Sequence, residues 1–97
     1  MNINFKSVRA AYLRLRAIAH PLRLQLIDFI DKKNEINVNV IYHTLKLEQS
    51  VTSQHLKILR DAGLVKTRRD GKKIFYSVHE KNLKRLVDLA EEIESIK

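Results

Sequence analysis

A mainly α-helical domain with one small β-hairpin is the fold this chain predicts, and three observations predict it. Residues 50–78 read as an amphipathic helix closed by Gly63, followed by two strand-like runs joined at Asp70-Gly71. Apolar residues recur at spacings of three and four on both sides of that unit. The positive charge peaks on it. Of a net +8, residues 1–45 hold seven basic and three acidic side chains (+4), residues 46–73 eight and three (+5), and residues 74–97 four and five (−1). A helix passing directly into a basic hairpin is how a winged helix-turn-helix presents itself, here in the order α-α-(β)-α-α-β-β-α.

The first helix is expected over residues 5–18, where Phe5, Val8, Tyr12 and Leu15 share a stripe and Arg9, Arg14 and Arg16 take other faces. Pro21 suits the first position of a second helix, because its missing N–H has no partner to lose there. Leu22, Leu26, Ile27 and Ile30 give that helix its buried side, and Lys32-Lys33 near its end suit the helix dipole. Ile36-Asn37-Val38 reads as a very short strand. Asn39 is the expected cap of a third helix, residues 40–46, that buries Val40, Ile41 and Leu45.

The fourth helix is placed at residues 49–62. At about 100° per residue, Val51, His55, Ile58, Leu59 and Ala62 fall on one side with Leu56 at the edge. Ser53, Lys57 and Arg60 lie opposite, flanked by Gln54 and Asp61. Gly63 is the left-handed residue past the helix end. Residues 64–69 and 73–78 are the strands, and Asp-Gly between alternating runs is a strong hairpin signal. Phe75 and Tyr76 alternate across the second strand, so one of them anchors it to the core. A last helix, residues 80–96, aligns Leu83, Leu86, Val87, Ala90 and Ile93.

Ninety-seven residues make one domain, 1–97, and the 44% apolar content is that of a folded chain. A core this small leaves the apolar stripes of the terminal helices incompletely covered. Pairing helices 5–18 and 80–96 across a two-fold axis would cover them, and two-fold DNA sites reward such a dimer. Its expected residues are Phe5, Val8, Tyr12, Leu15, Leu83, Leu86, Ala90 and Ile93. With no cysteine there is no disulfide, thiolate metal site or cysteine nucleophile. No apolar run approaches the roughly 18–20 residues of a membrane span, and the N-terminus lacks a signal-peptide core, so a cytoplasmic protein is expected.

Enzyme chemistry finds no support. There is no phosphate-cradling glycine loop and no nucleophile motif. Glu91 and Glu92 are neighbours on a helix and diverge by about 100°, too far to act as a carboxylate pair. No two histidines share a helix at metal-ligand spacing. His55 leans to the buried side of its helix, where a hydrogen-bonded packing role is expected, and His20 shapes the start of the second helix.

At this level of detail the chain resembles the ArsR (ArsR/SmtB) family of bacterial winged-helix repressors. The similarity is carried by Ala19-His20-Pro21-Leu22-Arg23-Leu24, by the run from Gln49 through Ser53-Gln54-His55-Leu56-Lys57 to Gly63-Leu64-Val65, and by the hairpin Arg68 to Val78. It spans essentially the whole chain in order and spacing. The resemblance implies a homodimeric, sequence-specific DNA-binding repressor on a palindromic operator. The reading contacts would be Gln49, Ser50, Thr52, Ser53, Gln54 and Lys57; helical spacing and resemblance agree on Ser53, Gln54 and Lys57. Arg68, Arg69, Lys72 and Lys73 would grip phosphate around the hairpin tip. The alternative is a winged-helix module that turns the same surface to a protein or RNA partner.

Two departures from the family pattern matter. Its glycine and serine cap before the reading helix are replaced here by Lys46 and Glu48, and Ser50, a better cap than Glu48, would start the helix later. Its metal-sensing members use cysteines on the third helix or Asp and His pairs on the last, and this chain has neither set. No cofactor and no metal are therefore expected.

Overall fold

The computed structural model describes residues 3–96. Its elements are α1 (Phe5–Ile18), α2 (Pro21–Lys33), β1 (Ile36–Asn37), α3 (Val38–Leu45), α4 (Gln49–Asp61), β2 (Val65–Asp70), β3 (Lys73–Val78) and α5 (Glu80–Ser95). That is the expected winged helix-turn-helix order.

Side chains at the helix starts explain most of the boundaries. The Asn4 side chain accepts from the Ser7 N–H at 3.2 Å and opens α1. His20 Nδ1 accepts from the Leu22 N–H at 3.1 Å, beside Pro21 at the first turn of α2. His79 Nδ1 accepts from the Asn82 N–H and opens α5. Each occupies an N–H that has no partner inside the helix. For α3 the cap is Asn37 rather than Asn39: its Oδ1 accepts from the Asn39 N–H at 2.9 Å. The strand therefore passes straight into the helix with no linking residue.

The start of α4 falls at the expected residue 49 and not at the later start that a Ser50 cap would give. The Thr52 N–H already bonds the Glu48 carbonyl at 3.0 Å, so Glu48 is the cap residue and the helix begins at Gln49. Ser50 lies inside the first turn and donates its hydroxyl proton to Glu48 Oε1 at 2.7 Å. A carboxylate at this end is favoured by the helix dipole, which offsets its failure to cap the backbone.

Just upstream, Lys46 closes α3 with φ +52°, in the left-handed region where the family pattern has glycine. That conformation costs an L-residue roughly 1–2 kcal/mol, while glycine loses about 0.5–1 kcal/mol in backbone entropy. Lys46→Gly is expected to raise stability by about 0.5–1 kcal/mol, read as a higher urea midpoint at unchanged slope.

The strands form one antiparallel sheet in the order β1-β3-β2. Ile36 pairs with Tyr76 and Asn37 with Phe75, and Val65 to Asp70 pair with Val78 back to Lys73. Tyr76 is the aromatic that anchors the hairpin, buried beside Val78. The core is completed by Leu26 and Ile30 of α2, Ile41 of α3, Leu56 and Leu59 of α4, Leu64, and Leu86 of α5. Val40, expected inside, is exposed; Ile41 alone is fully buried on α3.

On α4 the buried sector is rotated from the expected one. Thr52, Leu56 and Leu59 are fully buried, whereas Val51 is 41% and Ile58 40% exposed. Thr52 tolerates burial because its hydroxyl donates to the Glu48 carbonyl at 2.7 Å, leaving no unsatisfied polar group. A wheel that treats threonine as polar puts it on the wrong side.

Candidate nucleic-acid interface

The rotation of α4 decides which of its side chains reach outward. Gln49, Ser50, Ser53, Gln54 and Lys57 are exposed, within an arc of about 140° at helical spacing. Thr52, expected among the contacts, is not on this surface. Its burial and its bond to Glu48 remove it from any groove-facing role. Lys57 Nζ pairs with Asp61 Oδ2 at 2.8 Å, but both side chains are well exposed, so the pair is weak and readily exchanged for a phosphate. Ser53 Oγ lies 2.8 Å from the hydroxyl of Tyr42 on α3, a contact that no local sequence signal announces. Arg60 is a further exposed cation on the same arc.

The C-terminal end of α4 is held from two directions. Arg14 Nε of α1 donates to the Ala62 carbonyl at 3.1 Å. Asn82 Nδ2 of α5 donates to the Gly63 carbonyl at 2.9 Å. Gly63 has φ +74°, and a Cβ there would stand 3.2 Å from Asn82 Nδ2, so both backbone conformation and space call for glycine. Both terminal helices thus set the orientation of the helix that carries the exposed polar face.

His55 occupies the other side of α4. Its Nδ1 accepts from Arg23 Nε at 3.2 Å, and its ring centroid is 4.7 Å from that of His20. Arg23 also donates from Nη1 to the Ala17 carbonyl at 3.0 Å, so one guanidinium joins α1, α2 and α4. Burial, and then the neighbouring His20 and Arg23, lower the His55 pKa. This is the packing role expected for that residue. Among the described residues no group of three or more His, Asp or Glu is placed to hold a metal ion.

In the hairpin, the register separates the four expected cations. Arg68 stands opposite Phe75 and Arg69 opposite Ile74, so they project from opposite faces of the ribbon. Arg68 is engaged. Its Nη2 and Nε reach Glu35 Oε1 and Oε2 at 2.7 and 3.2 Å, and its guanidinium carbon lies 4.6 Å from the Phe75 centroid. The hydrogen bond from Arg68 is the main reason the Glu35 pKa is lowered. Arg68 therefore braces the hairpin against the α2–β1 turn. Arg69, Lys72 and Lys73 are exposed and have no ion-pair partner among the described residues. The tip turns at Gly71, φ +61°.

A third surface lies on the terminal helices. Phe5, Val8 and Tyr12 of α1 are 73%, 57% and 57% exposed, and Ile93 of α5 is 52% exposed. A groove on α1, α2 and α5 is lined by Leu15, Ile18, Leu24, Leu86, Val87 and Ala90, with Glu91 and Glu94. Leu86, expected at a dimer interface, belongs to the protomer's own core, and Leu15 and Leu83 are half-buried against it. No helix of the described residues is long and apolar enough to cross a membrane.

Comparison with known proteins agrees with this geometry. Residues 20–67 match the family described as bacterial regulatory protein, arsR family. The chain is 36% identical over 84 residues to the transcriptional activator HlyU of Vibrio cholerae, covering 87% of this chain and 77% of that protein. It is 35% identical over 80 residues to the transcriptional repressor PagR of Bacillus anthracis, covering 82% and 80%. The crystal structure of PagR superposes with a TM-score of 0.76 at 32% identity, over 90% of this chain and 99% of that one. With the α4 face and basic hairpin in place, these similarities show that the chain belongs to the ArsR family of bacterial regulatory proteins and is a DNA-binding transcriptional regulator, not an enzyme.

Proposed function

We propose that this regulator is a cytoplasmic homodimeric repressor that reads an imperfect palindrome through two α4 helices and carries no thiolate metal-sensing site. The observation that carries the reading is that one domain exposes both a polar face on α4 and a free cationic hairpin tip. Gln49, Ser50, Ser53, Gln54 and Lys57 face outward on α4, and Arg69, Lys72 and Lys73 stand free on the hairpin. Glutamine can bond adenine through two atoms, lysine reaches guanine, and serine serves bases or phosphates. The hairpin cations supply backbone contacts that position the protein without reading sequence. A two-fold pair joined through the exposed α1 and α5 stripe would set two such units on successive major grooves. Occupying a promoter in this way blocks transcription. Repressor names among its relatives, PagR included, favour that direction over the activator name of HlyU.

Fluorescence anisotropy tests the proposal, titrating the protein against its own upstream DNA and a scrambled duplex at two salt concentrations. Tighter binding to the upstream DNA with a steep salt dependence supports it. No binding to either duplex at low salt would overturn it in favour of a protein- or RNA-binding module. Within the same assay, Gln54→Ala is expected to reduce discrimination between the duplexes roughly 5- to 100-fold per half-site, the range of one good base contact. Lys72→Ala with Lys73→Ala should weaken both duplexes alike and lower the salt slope by about 2 for each protomer bound, about 4 for the dimer.

A further inference from the structure

Tyr42 is the α3 side chain that touches the outward face of α4. Its half-buried ring packs on the core, which holds the phenol in one place. Its hydroxyl lies 2.8 Å from Ser53 Oγ. A lone serine hydroxyl rotates and offers a base edge either its proton or its lone pairs. Joined to a second hydroxyl it loses that freedom. If Tyr42 donates, one Ser53 lone pair is filled and the Ser53 proton turns outward. If Ser53 donates, the Tyr42 proton is the one left outward. In either arrangement the pair keeps one proton that is free to meet a base edge, and Ser53 Oγ keeps at least one free lone pair. Purine N7, guanine O6 and thymine O4 can accept that proton, and an amino group can reach only the lone pair, so fixing the two positions fixes which edge fits.

We infer that Tyr42 is a specificity-determining residue of this regulator, acting by orienting Ser53 so that the pair presents one hydrogen-bond donor to the base edge beside it. The inference rests on the reading of α4 as the helix that enters the major groove. Because the phenol is already packed, the donor is ordered before DNA arrives, and binding need not immobilise it.

The test compares wild type, Tyr42→Phe, Ser53→Ala and the double variant by selection from a randomised duplex library, with sequencing of the bound fraction. Tyr42→Phe keeps the packed ring and removes only the hydroxyl. It should flatten the preference at the base pair that Ser53→Ala also flattens, by about 5- to 10-fold, the worth of one net hydrogen bond. The double variant should be no worse than Ser53→Ala alone. Affinity for a scrambled duplex and its salt slope should not change, since no charge is altered. If Ser53→Ala shifts the profile and Tyr42→Phe leaves it as in wild type, the inference fails and the reading of α4 survives. The inference fails equally if Tyr42→Phe acts at a different base pair, or if Ser53→Ala has no effect while wild type discriminates. A wild-type protein with no preference in the library would remove the reading of α4 itself, and this inference with it.

Discussion

Glutamate placed at both Val8 and Ile93 is expected to leave the protomer folded and to lower operator affinity by roughly 10²–10⁴-fold, the gain that linking two binding units confers. Both positions are more than half exposed, so the substitutions open no cavity in the core. Their effect falls on whatever covers the stripe of Phe5, Val8, Tyr12 and Ile93. In a two-fold dimer each glutamate would be desolvated near its symmetry-related copy, an arrangement of like charges that the interface cannot absorb. Sedimentation equilibrium should report a dimer for wild type and a monomer for the variant, and anisotropy should report the loss of affinity on the upstream duplex. A variant that is monomeric yet binds as tightly as wild type would show that one α4 suffices and would sink the dimeric reading.

Arg23→Ala should destabilise the protein by about 2–3 kcal/mol, because two part-buried acceptors on other helices, His55 Nδ1 and the Ala17 carbonyl, lose their charged donor. In a domain of this size that corresponds to a fall in melting temperature of roughly 8–20 °C. Its partner His55 carries a pH dependence. Burial first, then His20 and Arg23, hold the His55 pKa below its ordinary value of 6.5. The unfolded chain therefore takes up this proton before the folded one does. The stability supplied by neutral His55 is fully present above pH 6.5 and is lost as pH falls through the folded pKa. Protonation also ends the Arg23 bond, since Nδ1 then carries a proton in place of its acceptor lone pair. Wild type should thus lose stability as pH falls below about 6.5 in thermal melts, and His55→Gln should flatten that part of the curve. An equally steep fall in the variant would place the acid sensitivity elsewhere. The bond to Arg23 and the tilted ring contact with His20 seat α4 against α2, so the loosening falls on the helix that carries the proposed base contacts.

Much of this arrangement was legible in the order of residues alone. Residue types with few conformational options mark boundaries: Pro21 at the start of α2, Gly63 past the end of α4, and Asp70-Gly71 at the hairpin. Periodicity placed all five helices because each lays an apolar stripe on one core. The family resemblance was matched by the family model over residues 20–67 and by HlyU over 84 residues. What proved illegible depends on contacts between residues distant in the chain. Glu35 and Arg68 are 33 positions apart, and nothing local says that this wing cation braces the fold while Arg69 stands free. The pairing of Tyr42 with Ser53 across two helices was equally hidden.

The chain by itself determined the element order, the basic hairpin and the helix that bears the polar face, because turn chemistry and hydrophobic period are properties of short segments. Only the tertiary structure decided how α4 is rotated. Threonine can serve either side of a helix, and its assignment turned on one hydroxyl bond, from Thr52 to the Glu48 carbonyl. That rotation moved Thr52 into the core and left Val51 and Ile58 half in solvent, because packing weighs satisfied hydrogen bonds and shape, whereas a sequence pattern registers only polarity.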